Sequence, residues 1–140
     1  MPKGRSGAER TLRRRQRGSD DVTMNRVIEY VDRVKLNTYS DEEKYQWMKT
    51  LEEMIAKEVM GLEDATHWIP EDGDKPLLVP APYDEIYGLY VMAMIDFYNQ
   101  EYGNYNNMTA LFRQRLEQFQ AWYIRQNRPD GAKNFRNVMG

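Results

Sequence analysis

Few residues of this chain could do chemistry, and their spacing argues against most of it. Carboxylates fall in close pairs, Glu52 with Glu53 and Asp72 with Asp74. A carboxylate pair can divide acid and base work, but only against a positioned reacting partner; on helices and turns such pairs read as solvated faces. The Glu71-Asp72-Gly73-Asp74 turn offers oxygens for a weakly held Ca²⁺. It lacks the further ligands and the terminal Glu of a helix-loop-helix calcium site. His67, the one histidine, stands beside Trp68 with no readable nucleophile or base near it. It reads as a packing or surface residue, and alone it excludes a His-pair zinc site. The chain has no cysteine. That excludes disulfides, thiolate ligands and a Cys nucleophile, and it fits a reducing compartment. No phosphate-cradling Gly loop of the P-loop type occurs. The residues therefore predict no enzyme activity, no metal and no cofactor.

Charge is the next signal. Residues 1–18 carry seven basic side chains against Glu9, a local charge of +6, which leaves −8 for the rest of a chain of net charge −2. Arg10, Arg13, Arg14, Arg15 and Arg17 make this arm a candidate contact for nucleic acid or an acidic surface, whereas the acidic body would repel nucleic acid. Residues 1–21 hold too little apolar material for a core and read as a disordered arm. No apolar run nears the roughly 20 residues of a membrane span, and no apolar region follows the basic start as in a signal peptide.

The elements that must position everything else are helices. The expectation is an all-α domain over residues 22–140, a bundle of about four. Met24, Val27, Ile28, Val31 and Val34 form one apolar stripe of a first helix from Thr23 to Lys35. Ser40 and Glu43 make a capping box that opens a second helix, with Trp47, Met48, Leu51, Met54, Ile55 and Val59 as its buried face and Gly61 as its stop. The short link between the two predicts a hairpin. Residues 62–82 form a long Pro-rich connection, in which Leu77-Leu78-Val79 reads as a short extended segment between prolines. A loop of this length is uncommon in a compact domain and often functional. The third helix, Tyr83 to Tyr102, is apolar nearly all round and must be buried nearly all round. Tyr83, Tyr87, Tyr90, Met94 and Phe97 share one of its faces. Those tyrosines could stack bases, but the neighbouring carboxylates and the all-round apolarity favour core. Gly103 is expected to break this helix before a fourth, Tyr105 to Gln126. Pro129 and Gly131 then lead into an extended tail, residues 128–140.

Three stretches carry a resemblance: MNRVIEYVDRVKLNTYSDEEKYQWMKTLEEMIAKEVMG, LLVPAPYDEIYGLYVMAMIDFYNQEYGNYNN and the closing FRNVMG. The middle one is the most specific, with Tyr83-Asp84, Ala93-Met94-Ile95-Asp96 and Glu101-Tyr-Gly-Asn-Tyr-Asn-Asn in order. From Val22 to Met139 the chain resembles the small head–tail connector (adaptor, head-completion) proteins of long-tailed bacteriophages. The resemblance implies a homo-oligomeric ring, expected to be twelvefold, beneath the portal protein. Such a ring extends the DNA channel and docks a tail or stopper protein. The same resemblance implies a virion protein assembled in the bacterial host cytoplasm, with no enzymatic activity and no cofactor. Residues 1–21 depart from the family pattern.

Two function classes follow. One is the structural ring component, with Trp68, Leu77, Leu78, Val79, Tyr83, Tyr87, Tyr90, Phe135, Val138 and Met139 as contacts to neighbouring subunits, portal or tail. The other is a small helical nucleic-acid-binding or regulatory protein that uses the Arg-rich arm. A DNA reader places basic residues on a folded element as well as an arm, and these helices are acidic or mixed.

Overall fold

The computed structural model describes residues 21–127, with Ala65 and His67 by backbone alone. The arm, with Arg10, Arg13, Arg14, Arg15 and Arg17, and the tail, with Phe135, Val138 and Met139, lie outside the described residues. The described residues form an all-α bundle of four α-helices. Among the described residues there is no strand, only an isolated bridge between Thr23 and Pro76.

Helix α1 spans Met24–Val34, and the Thr23 hydroxyl caps it by accepting from the Arg26 N–H. Met24, Val27, Ile28 and Val31 are buried as their spacing requires, while Val34, at the helix end, is exposed. Helix α2 spans Asp41–Met54. Its capping box is complete: Glu43 N–H donates to Ser40 Oγ at 3.2 Å, and Ser40 N–H donates to Glu43 Oε2 at 3.1 Å. The rod then widens into a π-helical turn over Ile55–Val59, closed by Met60 N–H donating to Ile55 O at 2.9 Å. Gly61 ends it at φ 65°, the left-handed conformation that glycine adopts without penalty.

The connection that follows is anchored at several points. A 3₁₀ turn covers Ala65–Trp68. In the Glu71-Asp72-Gly73-Asp74 turn, Asp72 Oδ1 accepts from Asp74 N–H, Gly73 O accepts from Asn25 N–H, and Asp74 Oδ1 accepts from Asn25 Nδ2. Tyr45 Oη completes the knot by donating to Asn25 Oδ1. These carboxylates thus fasten the start of α1.

Helix α3 spans Glu85–Tyr98 and α4 spans Tyr102–Asn127. The predicted boundary is corrected here. Gly103 lies inside α4, and the reversal is made by Gln100 at φ 64°. Gln100 N–H donates to Phe97 O and Glu101 N–H to Asp96 O, the paired bonds of a Schellman cap, with glutamine where glycine usually stands. Helix α3 is the centre of the fold, with α1 and α2 on one side and α4 on the other. Nine of its fourteen residues are buried, which is the burial its all-round apolarity demands. In α4 Phe119 is the buried residue among 26, so that helix lies on the outside of the bundle.

Candidate functional site

The buried polar groups of this protein hold structure. Glu52 is fully buried, not part of a solvated pair with Glu53. Its Oε2 accepts from Leu78 N–H at 2.9 Å, and its Oε1 accepts from Tyr87 Oη at 2.5 Å. Tyr87 Oη in turn accepts from Val79 N–H at 2.9 Å. A buried N–H needs a partner, and here two helix side chains supply what a neighbouring strand would supply elsewhere. Leu77, Leu78 and Val79 are therefore core residues, buried against their own subunit. The expectation that they contact neighbours is corrected, and so is that for Tyr87, whose ring and hydroxyl are both enclosed.

The other sequence-singled residues separate as follows. Tyr83 packs on Phe119 and Trp122, with ring centroids 6.0 and 5.3 Å away. Tyr90 packs on Phe112 at 5.4 Å. Burial, with the nearby Tyr105 and Tyr98, raises the Tyr90 phenol above its ordinary pKa. Tyr90 on α3 and Tyr83 in the turn before it thus pack against α4. Trp68 is half-buried over the small cluster of Ala56 and Leu78. Among the described residues, the predicted contact residues are thus not gathered into one surface.

It gathers a different set. The α1–α2 link and the α3–α4 turn meet where Tyr39 Oη donates to Asn99 Oδ1 at 2.7 Å. Around that contact lies a chain of rings. Trp47 stacks on Tyr98 at 5.7 Å with planes 10° apart, and Tyr39 meets Trp47 edge-on at 5.6 Å. Phe97 touches Tyr98, Tyr102 and Tyr105 at 5.2, 6.2 and 5.3 Å. Phe97, Tyr98 and Tyr102 are exposed, and Leu36, in the adjoining link, is 95 % exposed. Large apolar groups held this open to water are a mark of protein contact surfaces.

Two ion pairs brace the same end. Lys35 Nζ lies 2.7 Å from Oδ1 of the fully buried Asp96. The contact is ionic, since neither Asp96 carboxylate oxygen has an aligned hydrogen-bond partner among the described residues. Lys44 Nζ, itself buried, sits 2.8 Å from Asp32 Oδ1. Burial works against charge on Asp32, but the hydrogen bonds from Lys44 and Asn37 and the lysine's charge outweigh it, so this carboxyl titrates below its ordinary value. The sequence reading missed Leu36, Tyr39, Tyr98 and Tyr102, because it followed helical stripes and passed over helix ends. The signal was the aromatic density on both sides of Asn99.

Among the described residues no group of His, Cys, Asp and Glu side chains could hold a metal ion, and no helix is long and apolar enough to cross a membrane. Comparison with protein-family models, curated proteins and solved structures finds no match. The arrangement offers solvent an aromatic surface on an end braced by two ion pairs.

Proposed function

We propose that this chain is a structural subunit of a bacteriophage virion, a head–tail connector that assembles as a ring under the portal and gives the tail its docking surface. The observation that carries the reading is the exposed aromatic end formed by Phe97, Tyr98, Tyr102 and the link at Leu36. A subunit that holds these residues in water gains by covering them with a neighbour, at about 25 cal/mol for each Å² of apolar area buried. The phage assignment rests on the resemblance from Val22 to Met139, whose most specific stretch, Leu77–Asn107, supplies Phe97, Tyr98 and Tyr102 of this end. The charge distribution fits the same role. An acidic body lets DNA pass a channel without adhering, since adhesion comes from phosphate neutralisation by Lys and Arg.

Electron microscopy of the purified protein, alone and with portal protein, tests the proposal. Rings, or decorated portals, are expected. Leu36→Asp should weaken association while leaving helicity intact, because Leu36 is 95 % exposed. A strict monomer in both conditions, absent from phage particles, would refute the reading. The +6 charge of residues 1–18 supports the second reading, a nucleic-acid-binding protein. That reading requires salt-sensitive DNA binding that is lost when residues 1–21 are deleted.

A further inference from the structure

A groove of about 370 Å³ runs between the starts of α1 and α3. Its floor is apolar, made by Val27, Gly88, Leu89 and Met92, with the half-open Tyr30 ring at one side. Three carboxylates, Asp21, Asp84 and Glu85, and one cation, Arg26, are also among its lining residues. We propose that this groove is the seat of the chain's own C-terminal segment, residues 134–140, folded back onto the subunit that carries it. The inference stands independently of the connector reading.

Three observations lead there. The first is position. Arg115 Nε lies 2.9 Å from Glu85 Oε1, so α4 is level with the groove's lip at Arg115. The helix ends at Asn127, about 18 Å further on at ~1.5 Å per residue. The second is direction. The next residues are Arg128-Pro129-Asp130-Gly131. Proline presets the first turn position, aspartate bonds locally to backbone, and glycine accepts positive φ, so this sequence has the chemistry of a reversal. Residues 132–140 sent back along α4 cover up to ~30 Å at ~3.3 Å each. The ~18 Å return to the lip uses roughly six of them, which leaves Val138 and Met139 over the floor and Phe135 and Arg136 at its entrance. The third is complementarity. The segment alternates apolar Phe135, Val138 and Met139 with basic Arg136, and Lys133 precedes it; the groove pairs an apolar floor with a lining richer in carboxylates than in cations.

The chain has no cysteine, so Asn137→Cys gives a single site for a nitroxide spin label on the full-length protein. The label should remove most of the ¹⁵N–¹H intensity of the Val27, Gly88, Leu89 and Met92 amides. Replacing Phe135, Val138 and Met139 together by serine in the labelled chain should restore that intensity without shifting the α2 amides. A mixture of labelled ¹⁴N chain with unlabelled ¹⁵N chain should show no effect. The proposal is overturned if the four amides keep full intensity, if they broaden only in the mixture, or if a label at Ser6→Cys in the arm broadens them while the tail label does not.

Discussion

Replacing Tyr87 by phenylalanine removes one oxygen atom and tests how the connection is held to the bundle. The ring stays in its fully buried site, so packing is unchanged. The loss is confined to the hydroxyl, which donates to Glu52 and accepts from Val79 N–H. A lost intramolecular hydrogen bond costs about 1 kcal/mol, and a buried N–H left without a partner costs about 1–3 kcal/mol. The expected destabilisation is therefore about 2–4 kcal/mol, out of the ~5–15 kcal/mol typical of a domain. Urea unfolding followed by circular dichroism should show a lower midpoint at an unchanged slope. Native-state hydrogen exchange should show the Val79 amide losing protection more than the α3 amides. Glu52→Gln should cost about 1–3 kcal/mol on its own, because the amide must turn an acceptor to one neighbour and an N–H to the other. Because Tyr87 and Glu52 share a bond, the double variant should lose less than the sum of the single losses. A Tyr87→Phe protein within 0.5 kcal/mol of the parent would refute the claim that this side-chain clamp holds residues 77–79.

Gln100→Gly should stabilise the protein by about 0.5 kcal/mol, since it relieves about 1 kcal/mol of left-handed strain at φ 64° and gives back part of it as unfolded-state entropy; a drop in thermal midpoint would count against the cap. Gly73→Ala should destabilise by about 2 kcal/mol, because a Cβ there would stand 2.2 Å from Asn25 Oδ1 and force that side chain off Tyr45 and Asp74; chemical denaturation measures it. The depressed Asp32 carboxyl contributes stability that is present above its unfolded pKa near 3.8 and is lost as pH falls through its lower folded value. Asp32→Asn should flatten that part of the acid unfolding curve, and an unchanged curve would remove Asp32 as its source. Raised phenol pKa values at Tyr45, Tyr90 and Tyr123 reverse the sign at the alkaline end. The unfolded chain ionises first there, so stability should decline as pH rises above about 10, as thermal melts across that range would show.

What could be read from the chain depended on whether local rules agreed with tertiary ones. The opening of α2 was legible because Ser40 and Glu43 satisfy each other's backbone within one turn. The burial of α3 was legible because a helix apolar all round has no solvent face to offer. The α3–α4 boundary was not, because Gly103 is the residue expected in a left-handed cap and Gln100 occupies it under tertiary constraint. Glu52 was misread through its neighbour Glu53. Its spacing of four from Met48 and three from Ile55 places it inside the apolar stripe, which was the available clue. Leu77-Leu78-Val79 was read as an extended apolar segment; it is apolar and buried, but its chain bends at Leu78 and Val79 and its partner is two helix side chains, a pairing with no sequence periodicity to reveal it. The aromatic end was missed because its members come from two connecting segments and three helices, spread from Leu36 to Tyr105.

The outer position of α4 has a consequence for cooperativity. This helix buries Phe119 fully and otherwise rests half-covered residues on α3, while α1, α2 and the clamped connection share the interior. The molecule therefore divides into an inner unit, closed by Glu52 and Tyr87, and an outer rod joined to it along one seam. Regions with few fully buried contacts open at free energies below that of global unfolding. Amides of α4 should thus exchange through a partial opening that leaves the inner unit intact, and that opening should uncover Tyr90 of α3 and Tyr83 in the turn before it.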